Sequence, residues 1–310
     1  MILKQFPNLA WLKSQVADQF ANRKGANGHV LENQGWPTAI LNVTASNIVR
    51  DNISGPLSIF SNLSGKSHVT VDRKRVALTP GMFFISNTKQ VYTLEVENQK
   101  PAETFNIHFG EAFSKKAFQS IFSSPDQLIE NRLDARNENF GFYNRLIPSS
   151  KEFHQTISDI RSGDNDKLLV EEKLFQLVTI LLNEEKKVLK ISSNLTVVKQ
   201  STREEILKRL LHATDYIYSS YHHNPDLDEL SRISCLSKFH FLRLFKLAYN
   251  QTPHQLITAL KIQKAKELLK GKSEIGGIAR ELGFDTVSSF SRLFKNESGV
   301  YPTRFREIVS

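Results

Sequence analysis

Cysteine and long apolar runs are almost absent from this sequence, and each absence excludes a class of protein. The 310 residues contain one cysteine, Cys235, so an intrachain disulfide and a multi-cysteine zinc cluster are both impossible. No stretch approaches the roughly 18 consecutive apolar residues that a membrane span needs. Residues 1–20 carry Lys4, Lys13 and Asp18 where a signal peptide has a continuous apolar core. We therefore expect a cytoplasmic protein with no membrane partner.

The composition favours a globular protein with a polyanionic partner. Hydrophobic residues make up 40% of the chain, which is enough for packed cores, and the length favours about two domains. The 41 basic and 32 acidic residues leave a net charge of +9. A positive balance of this size favours a partner such as nucleic acid, although a merely basic protein has the same composition.

The N-terminal half is predicted to be rich in β-sheet. Residues 36–109 contain short runs of Val, Ile, Phe and Thr, and apolar and polar residues alternate at 68–72, 92–97 and 104–109. A period of two indicates strands with one buried face. Many short strands with little helix between them predict an antiparallel β-sandwich or small barrel. Apolar residues at helical spacing predict flanking helices at 8–22, 112–122, 151–161 and 167–187.

The helix predicted at 167–187 carries an apolar stripe, for which two interpretations are open. The stripe can pack onto the strand domain, which is the commoner use of such a face. It can instead form the surface of a homodimer. The candidate interface residues are Leu174, Leu177, Val178, Leu181 and Leu182.

Residues 188–202 are polar and show little periodicity, which predicts a domain boundary. We assign residues 1–190 to an N-terminal domain, residues 191–203 to a linker and residues 204–310 to an all-α C-terminal domain. The whole chain is then an α+β multidomain protein.

The C-terminal domain contains an internal repeat. The hexamer Phe-Leu-Arg-Leu-Phe-Lys at 241–246 recurs as Phe-Ser-Arg-Leu-Phe-Lys at 290–295. Each unit is predicted to fold as a short helix, a tight turn and a second helix, which is a helix-turn-helix. Capping and stop signals are Asp226, Ser237 and Asn250 in the first unit and Ser273, Gly283 and Gly299 in the second.

The second helix of each unit, at 238–249 and 287–298, is predicted to read DNA. Spacing of i, i+3, i+4 turns the first, fourth and fifth residues of each hexamer inward, and the other three, which include Leu242, lie outward. The second helix of such a motif enters the major groove. Arg243 and Arg292 occupy equivalent outward positions, where each can bond a guanine or clamp a phosphate. The lysine that ends each hexamer suits a phosphate contact.

Residues 205–306 resemble the DNA-binding domain of AraC/XylS-type transcription regulators. The resemblance is carried by Ala-Lys-Glu-Leu-Leu at 265–269, Ile-Ala at 278–279, Gly-Phe at 283–284, the hexamer at 290–295, Gly299, Pro302 and Arg306. It implies a sequence-specific regulator in which outward residues of both reading helices contact bases. The predicted DNA-binding set is Lys238, Phe239, Leu242, Arg243, Lys246, Val287, Ser288, Ser291, Arg292 and Lys295. Leu242 and Val287 are apolar, so they can contact only thymine methyl groups. Lys261 stands where the family usually has arginine.

The resemblance also implies a cupin-like N-terminal domain that binds a small-molecule effector, dimerises, or both. The expected partners are therefore double-stranded DNA, an effector and a second copy of the chain, with RNA polymerase as a further one. The sequence does not identify the residues that bind the effector.

A cupin-type small-molecule-binding enzyme with a DNA-binding tail is the alternative. A metal-dependent cupin needs clustered histidine and carboxylate ligands, whereas His68, Glu95 and His108 are scattered along the chain with no His-x-His pair. We therefore expect no enzyme activity, no metal, no cofactor and no catalytic residue. His108 is interpreted as structural or solvent-facing, with the barrel lumen as the other option.

Overall fold

The computed structural model describes residues 2–8, 36–97, 100–122, 141–163, 166–196 and 199–309. The chain divides into two compact units, Met1–Val188 and Leu189–Ser310. The helix predicted at 8–22 falls, apart from its first residue, outside the described residues. No helix in the described part is both long enough and apolar enough to cross a membrane.

The described strands of the first unit form two sheets. In chain order they are β1 (Ile2–Leu3), β2 (Ala39–Ala45), β3 (Ile48–Ser54), β4 (Leu57–Ser64), β5 (Ser67–Val71), β6 (Lys74–Leu78), β7 (Met82–Ser86), β8 (Val91–Val96), β9 (Ala102–Phe109) and β10 (Leu146–Pro148). One sheet has the order β1-β2-β9-β4-β7-β10 and the other the order β3-β8-β5-β6. Every pairing is antiparallel except that of β1 with β2. The predicted antiparallel sheet domain is confirmed.

The two sheets differ in how their faces are buried. Strand β5 alternates between buried and half-buried residues, as its sequence predicts. Strands β7 and β9 are buried on both faces, because helices cover the outer face of their sheet and the four-stranded sheet covers the inner one. As a result β9 places Phe105 and Ile107 in the helix-covered core and turns Asn106 and His108 toward the space between the sheets.

In the described part of the first unit, three helices flank the six-stranded sheet: α1 (Glu111–Phe122), α2 (Lys151–Ser162) and α3 (Lys167–Asn194). Ser150 caps the start of α2, because its side chain accepts a hydrogen bond from the backbone N–H of Phe153 at 3.0 Å. The Phe153 ring then stacks on Phe83 of β7, with ring centroids 4.3 Å apart. Aromatic stacking of this kind adds to the burial of apolar area, so it helps to fix α2 on the sheet.

The apolar stripe of α3 is part of this core, so the candidate dimer surface was wrong. All five side chains are at most 4% exposed within the single chain and belong to the same hydrophobic cluster as Phe105 and Ile107. They are Leu174, Leu177, Val178, Leu181 and Leu182. A side chain that is already buried in one subunit cannot supply the apolar area that holds two subunits together. The packing alternative is the one that the structure adopts.

The segment predicted as a linker at 191–203 is mostly helical. Helix α3 continues to Asn194, and α4 (Gln200–Ser220) begins six residues later. Val188 and Leu195 are both fully buried. Polar side chains on the exposed face of a helix carry little periodic signal of their own, so a polar composition does not distinguish the end of a helix from a loop.

The second unit is helical, as predicted. After α4 and a short 3₁₀ turn (Tyr221–His223) come α5 (Leu227–Ile233), α6 (Lys238–Tyr249), α7 (Pro253–Leu268), α8 (Ile275–Glu281), α9 (Val287–Ser298) and α10 (Pro302–Val309). The pairs α5–α6 and α8–α9 are the two predicted helix-turn-helix units, and α7 connects them. Thr252 and Gln255 form a reciprocal capping box at the start of α7. One predicted cap was wrong, because α8 begins after Glu274 rather than Ser273 and no side chain caps it.

Candidate nucleic-acid interface and ligand pocket

The first helix-turn-helix unit is held by the caps that the sequence predicts. The Asp226 carboxylate accepts a bond from the backbone N–H of Glu229 at 2.8 Å, and the Ser237 hydroxyl accepts one from that of His240 at 3.3 Å. Between them the chain turns through Cys235, whose φ is +51°. Asn250 ends α6 in the left-handed conformation, which asparagine adopts more readily than most residues. These contacts position α6 as an exposed second helix.

The second unit depends on a glycine at the corresponding turn. Gly283 has a φ of +70°, and a Cβ atom there would lie 1.8 Å from the carbonyl oxygen of His222. Both the backbone conformation and the close approach therefore require glycine. Thr286 caps α9 by accepting a bond from the N–H of Ser289 at 3.1 Å, and Gly299 ends the helix at a φ of +82°.

The two reading helices divide into an inner and an outer face, as the repeat predicts. Phe241, Leu244 and Phe245 of α6 and Phe290 and Phe294 of α9 are completely buried. The outward set comprises Lys238, Phe239, Leu242, Arg243, Lys246, Val287, Ser288, Arg292 and Lys295, which are exposed, and Ser291, which is half-buried. Large apolar side chains are unusual on a surface, yet Phe239 is 80% exposed and Val287 is 46% exposed. Leu242, three residues after Phe239 on the same face of α6, is 36% exposed, and adjacent exposed apolar side chains are typical of a contact surface.

The charges on the outer faces differ in how far they are already neutralised. Neither Arg243 nor Arg292 forms an ion pair with any of the described carboxylates. Lys238 pairs with Asp228 of α5, and the Lys295 ammonium lies 4.5 Å from the centre of the Tyr301 ring. The two arginines are therefore available to an incoming anion without the loss of an existing partner.

A buried lysine joins the connecting helix to the second turn. Lys261 of α7 is 3% exposed, and its ammonium group donates to the side-chain oxygen of Asn224 and, at 3.5 Å, to the carbonyl of Gly283. The amide of Asn224 donates to the same carbonyl at 2.8 Å, and the Phe284 ring lies 4.5 Å from the ammonium. Burial lowers the pKa of Lys261 to about 8. This cluster ties together three segments that are far apart in sequence.

A cavity lies between the two sheets of the first unit. Its empty volume is about 350 Å³ when the solvent space at its open mouth is included, so the enclosed part is smaller. The lining is mostly aromatic and aliphatic and comprises Phe6, Pro7, Trp36, Leu41, Arg50, Ile53, Phe60, Tyr92, Leu94, Asn106 and His108. We call it the inter-sheet cavity.

Two polar groups of β9 face this cavity with unused hydrogen-bonding capacity. Asn106 is 1% exposed, and neither its side-chain nitrogen nor its oxygen has a hydrogen-bond partner. The Ser58 hydroxyl donates to the carbonyl of Pro56 and lies 2.8 Å from Nδ1 of His108, so Nδ1 carries the proton and donates to Ser58. Burial lowers the pKa of His108 to about 4. The ring is therefore neutral near pH 7 and keeps an acceptor at Nε2.

Arg50 brings a positive charge to the same cavity. Its guanidinium donates to the carbonyl oxygen of Pro7 at 2.9 Å and lies 5.8 Å from the centre of the Phe6 ring. Burial raises the pKa of Tyr92 and the nearby Arg50 charge opposes that shift, so the phenol stays neutral.

The candidate metal ligands are arranged differently from the sequence expectation. His68 and Glu95 are not scattered but are cross-strand neighbours in the four-stranded sheet, and Glu97 lies beside them. His108 lies apart from them in the inter-sheet cavity. The Arg75 guanidinium bonds to the carboxylates of Glu95 and Glu97. It therefore occupies the position beside them that a metal ion would take. The cluster is a surface ion-pair network on the outer side of the sheet.

The sequence patterns did not identify Arg50 and Asn106 as site residues. A signal existed for Asn106, because it alternates with Phe105 and Ile107 in a strand whose opposite face is mostly apolar. His108, for which both solvent and the barrel lumen were open, is buried and faces the lumen. Arg50 has no comparable signal, since it lies between two exposed residues, Val49 and Asp51, in an edge strand.

Two family models match the chain, one in each unit. Residues 57–178 match an AraC-like ligand-binding domain, and residues 230–308 match a helix-turn-helix domain. The first match covers most of the strands and the helices that pack on them, and the second covers both helix-turn-helix units.

Curated relatives agree with these matches. The "Probable transcriptional regulator LumQ" of Photobacterium leiognathi is 24% identical over 262 residues, which are 81% of this chain and 89% of that protein. The MmsAB operon regulatory protein of Pseudomonas aeruginosa is 34% identical over 100 residues, 32% of each chain. Among solved structures, ToxT from Vibrio cholerae aligns with 90% of this chain and all of that one at 14% identity and a TM-score of 0.34. The sequence models and the curated relatives, together with the duplicated helix-turn-helix, show that the chain is a DNA-binding transcription regulator of the AraC/XylS family with an AraC-like ligand-binding domain.

Proposed function

We propose that the protein reads two successive major-groove segments of one DNA site, with α6 in the first and α9 in the second. The observation that carries this proposal is the pair Arg243 and Arg292, which occupy equivalent exposed positions in the duplicated units and have no ion-pair partner among the described residues. An unpaired guanidinium on the outer face of a reading helix suits bidentate contact with guanine. Lys246 and Lys295 lie one turn further along and suit phosphate.

The full chain is first used to select its preferred DNA site from a pool of random duplexes. The roles of the two arginines are then tested by measuring binding to that site. Arg243→Ala and Arg292→Ala should each weaken binding by about 1–3 kcal/mol and relax the preference at one base position. Arg161→Ala, an exposed arginine of the first unit, is the charge-matched control and should leave binding unchanged. Retention of both affinity and base preference in the two test variants would show that the groove assignment is wrong.

The lysines should behave differently from the arginines in the same assay. Lys246→Ala and Lys295→Ala should weaken binding to selected and unrelated duplexes alike, because phosphate contacts carry no sequence information. Each should also reduce the dependence of affinity on salt by about one counterion. A change of base preference without a change in salt dependence would contradict the phosphate role.

The inter-sheet cavity is proposed as the effector site. Two features of the cavity support this proposal: its aromatic walls and the unpaired, buried amide of Asn106. Both lie within the domain that matches an AraC-like ligand-binding model. A bound effector changes DNA affinity only by as much as its own affinity differs between the DNA-competent and incompetent states. The effector role predicts that operator affinity responds to the ligand in the intact protein.

The remaining partners stay predictions. We propose that the protein acts in the cytoplasm as a homodimer that also contacts RNA polymerase. The dimer surface cannot be the α3 leucines, which are buried in the subunit core. Sedimentation of the full chain with and without DNA measures the oligomeric state, and a monomer in both conditions would contradict dimerisation. The alternative of a cupin-type enzyme has the weaker support, because the matched families and relatives are transcription regulators.

A further inference from the structure

We propose that the effector is a small aromatic carboxylate with a hydroxyl group at the end opposite the carboxylate. In this arrangement Arg50 binds the carboxylate, and Asn106 and His108 bind the hydroxyl. The inference rests on the effector role of the inter-sheet cavity proposed above and adds the chemical class of the ligand.

The charge of the cavity favours an anion. Among the described residues that line it, there is no aspartate, glutamate or lysine, and Arg50 is the sole permanently charged group. The guanidinium is bonded to a neutral carbonyl and has no carboxylate partner in the described part of the chain. His108 and Tyr92 are neutral near pH 7 and do not offset its charge. A ligand carboxylate would form charge-assisted bonds there, which are about twice as strong as bonds between neutral groups.

The neutral polar groups favour a hydroxyl at the other end. A buried amide whose donor and acceptor are both unpaired costs the desolvation energy of each atom, and Asn106 is in this state. A hydroxyl can accept a bond from the Asn106 nitrogen and donate its proton to Nε2 of His108. One ligand hydroxyl therefore bonds to both residues and pairs the Asn106 nitrogen, although its single proton cannot also reach the Asn106 oxygen.

The walls favour a flat ring between these two ends. Tyr92 and His108 lie nearly parallel with centroids 6.1 Å apart, and the Trp36 and Phe60 rings lie 5.9 Å and 5.8 Å from His108. A pentose or hexose has too many hydroxyls for this lining, because the aliphatic and aromatic walls would leave most of them unpaired. A flexible alkyl acid would leave Asn106 unsatisfied.

The sheet topology is the reason that we assign the carboxylate and the hydroxyl to opposite ends of the ligand. Arg50 belongs to β3, the edge strand of the four-stranded sheet, whereas Asn106 and His108 belong to β9 in the six-stranded sheet. The positive charge and the neutral polar groups therefore reach the ligand from different walls of the cavity.

Trp36 provides a direct readout of binding. The chain has two tryptophans, Trp11 and Trp36, so Trp11→Phe in the full chain leaves the lining residue as the single reporter. The probes are para-hydroxybenzoate, benzoate, para-hydroxybenzamide and arabinose. We expect para-hydroxybenzoate to bind most tightly, with the amide and benzoate each at least tenfold weaker and no response to arabinose.

Two variants assign each preference to a residue. Arg50→Gln should abolish the preference for the acid over the amide, and Asn106→Leu should abolish the preference for the hydroxyl. Arg75→Gln removes the same charge on the outer side of the sheet and should change neither. Thermal unfolding followed by circular dichroism checks each fold, and Asn106→Leu is expected to be at least as stable as the parent because it removes an unpaired buried amide.

The class of ligand and the effector role fail in different ways. Equal binding of acid and amide, tighter binding of arabinose, or no fluorescence response to any probe at low millimolar concentration would overturn the ligand class. The effector role is read separately, from operator affinity with each compound present. A change in operator affinity with arabinose alone would overturn the class and support the role, whereas tight binding of para-hydroxybenzoate without a change in operator affinity would support the class and overturn the role.

Discussion

At the scale of single residues, Lys261 is a charge that the fold buries at some cost. The pKa of its ammonium group falls from an ordinary 10.5 to about 8 because burial penalises the charged form. The bonds to Asn224 and Gly283 and the Phe284 ring offset part of that cost. The sequence marked the position as a departure from the family's arginine, but nothing in it indicated burial or these partners.

This burial predicts a particular pH dependence of stability. Between pH 8 and pH 10.5 the unfolded chain holds the Lys261 proton while the folded chain has released it. The free energy of unfolding should therefore rise with pH across this window, and below it the cost of the buried charge is fully present. In Lys261→Met this rise should be absent, whereas Lys264→Met, on the same helix, should retain it. Chemical denaturation of the three proteins at several pH values measures the difference, and identical pH profiles would contradict a lowered pKa.

The exposed Phe239 and Leu242 predict a preference for thymine in the first DNA segment. Neither side chain can form a hydrogen bond, so each recognises a base through apolar contact with the thymine methyl group. Replacement of single thymines by deoxyuridine removes only that methyl group. We expect one or two positions in the first segment to lose affinity with the parent protein and to lose none with Phe239→Ala and Leu242→Ala together. An equal loss with the variant protein would place the methyl contacts elsewhere.

At the scale of elements, helix α3 is a structural support of the strand domain. Leu177 is completely buried among residues of the six-stranded sheet. Leu177→Ala should lower the free energy of unfolding by about 2–5 kcal/mol, and Leu177→Glu should prevent folding of the first unit, because an unpaired charge would be buried. Thr179→Glu, exposed on the same helix, is the control. A folded, monomeric Leu177→Glu protein would instead support a dimer interface at the α3 leucines, against which the burial of Leu177 argues.

The elements that the sequence predicts best are those with local signals at both ends. The reading helices α6 and α9 have a cap, a periodic apolar face and a left-handed stop, and both were predicted to the residue. Helix α8 lacks a capping side chain, and its start was misplaced by one residue. The end of α3 and the inter-sheet cavity depend on contacts between residues distant in sequence. Single-sequence periodicity carries no information on such contacts.

At the scale of the whole molecule, the two reading helices belong to one compact unit and are joined by a capped helix. DNA presents the same face about every 10 base pairs. Insertion of about 5 base pairs between the two segments should reduce affinity to that of one segment, because it turns the second segment to the opposite face. Insertion of a full turn should not restore binding, since α7 fixes the separation of the helices. Recovery with the full-turn insertion in a gel-shift assay would show that the connection is flexible.

The lone thiol of this chain has a practical consequence. Cys235 is exposed and lies in the turn that leads into α6. A maleimide dye would therefore attach at a single, known position in the unaltered protein, next to the helix proposed to enter the groove. Energy transfer from that dye to a fluorophore at either end of a duplex would give the direction in which the protein lies on its site. The amino-acid sequence thus already contains the label that an orientation measurement needs.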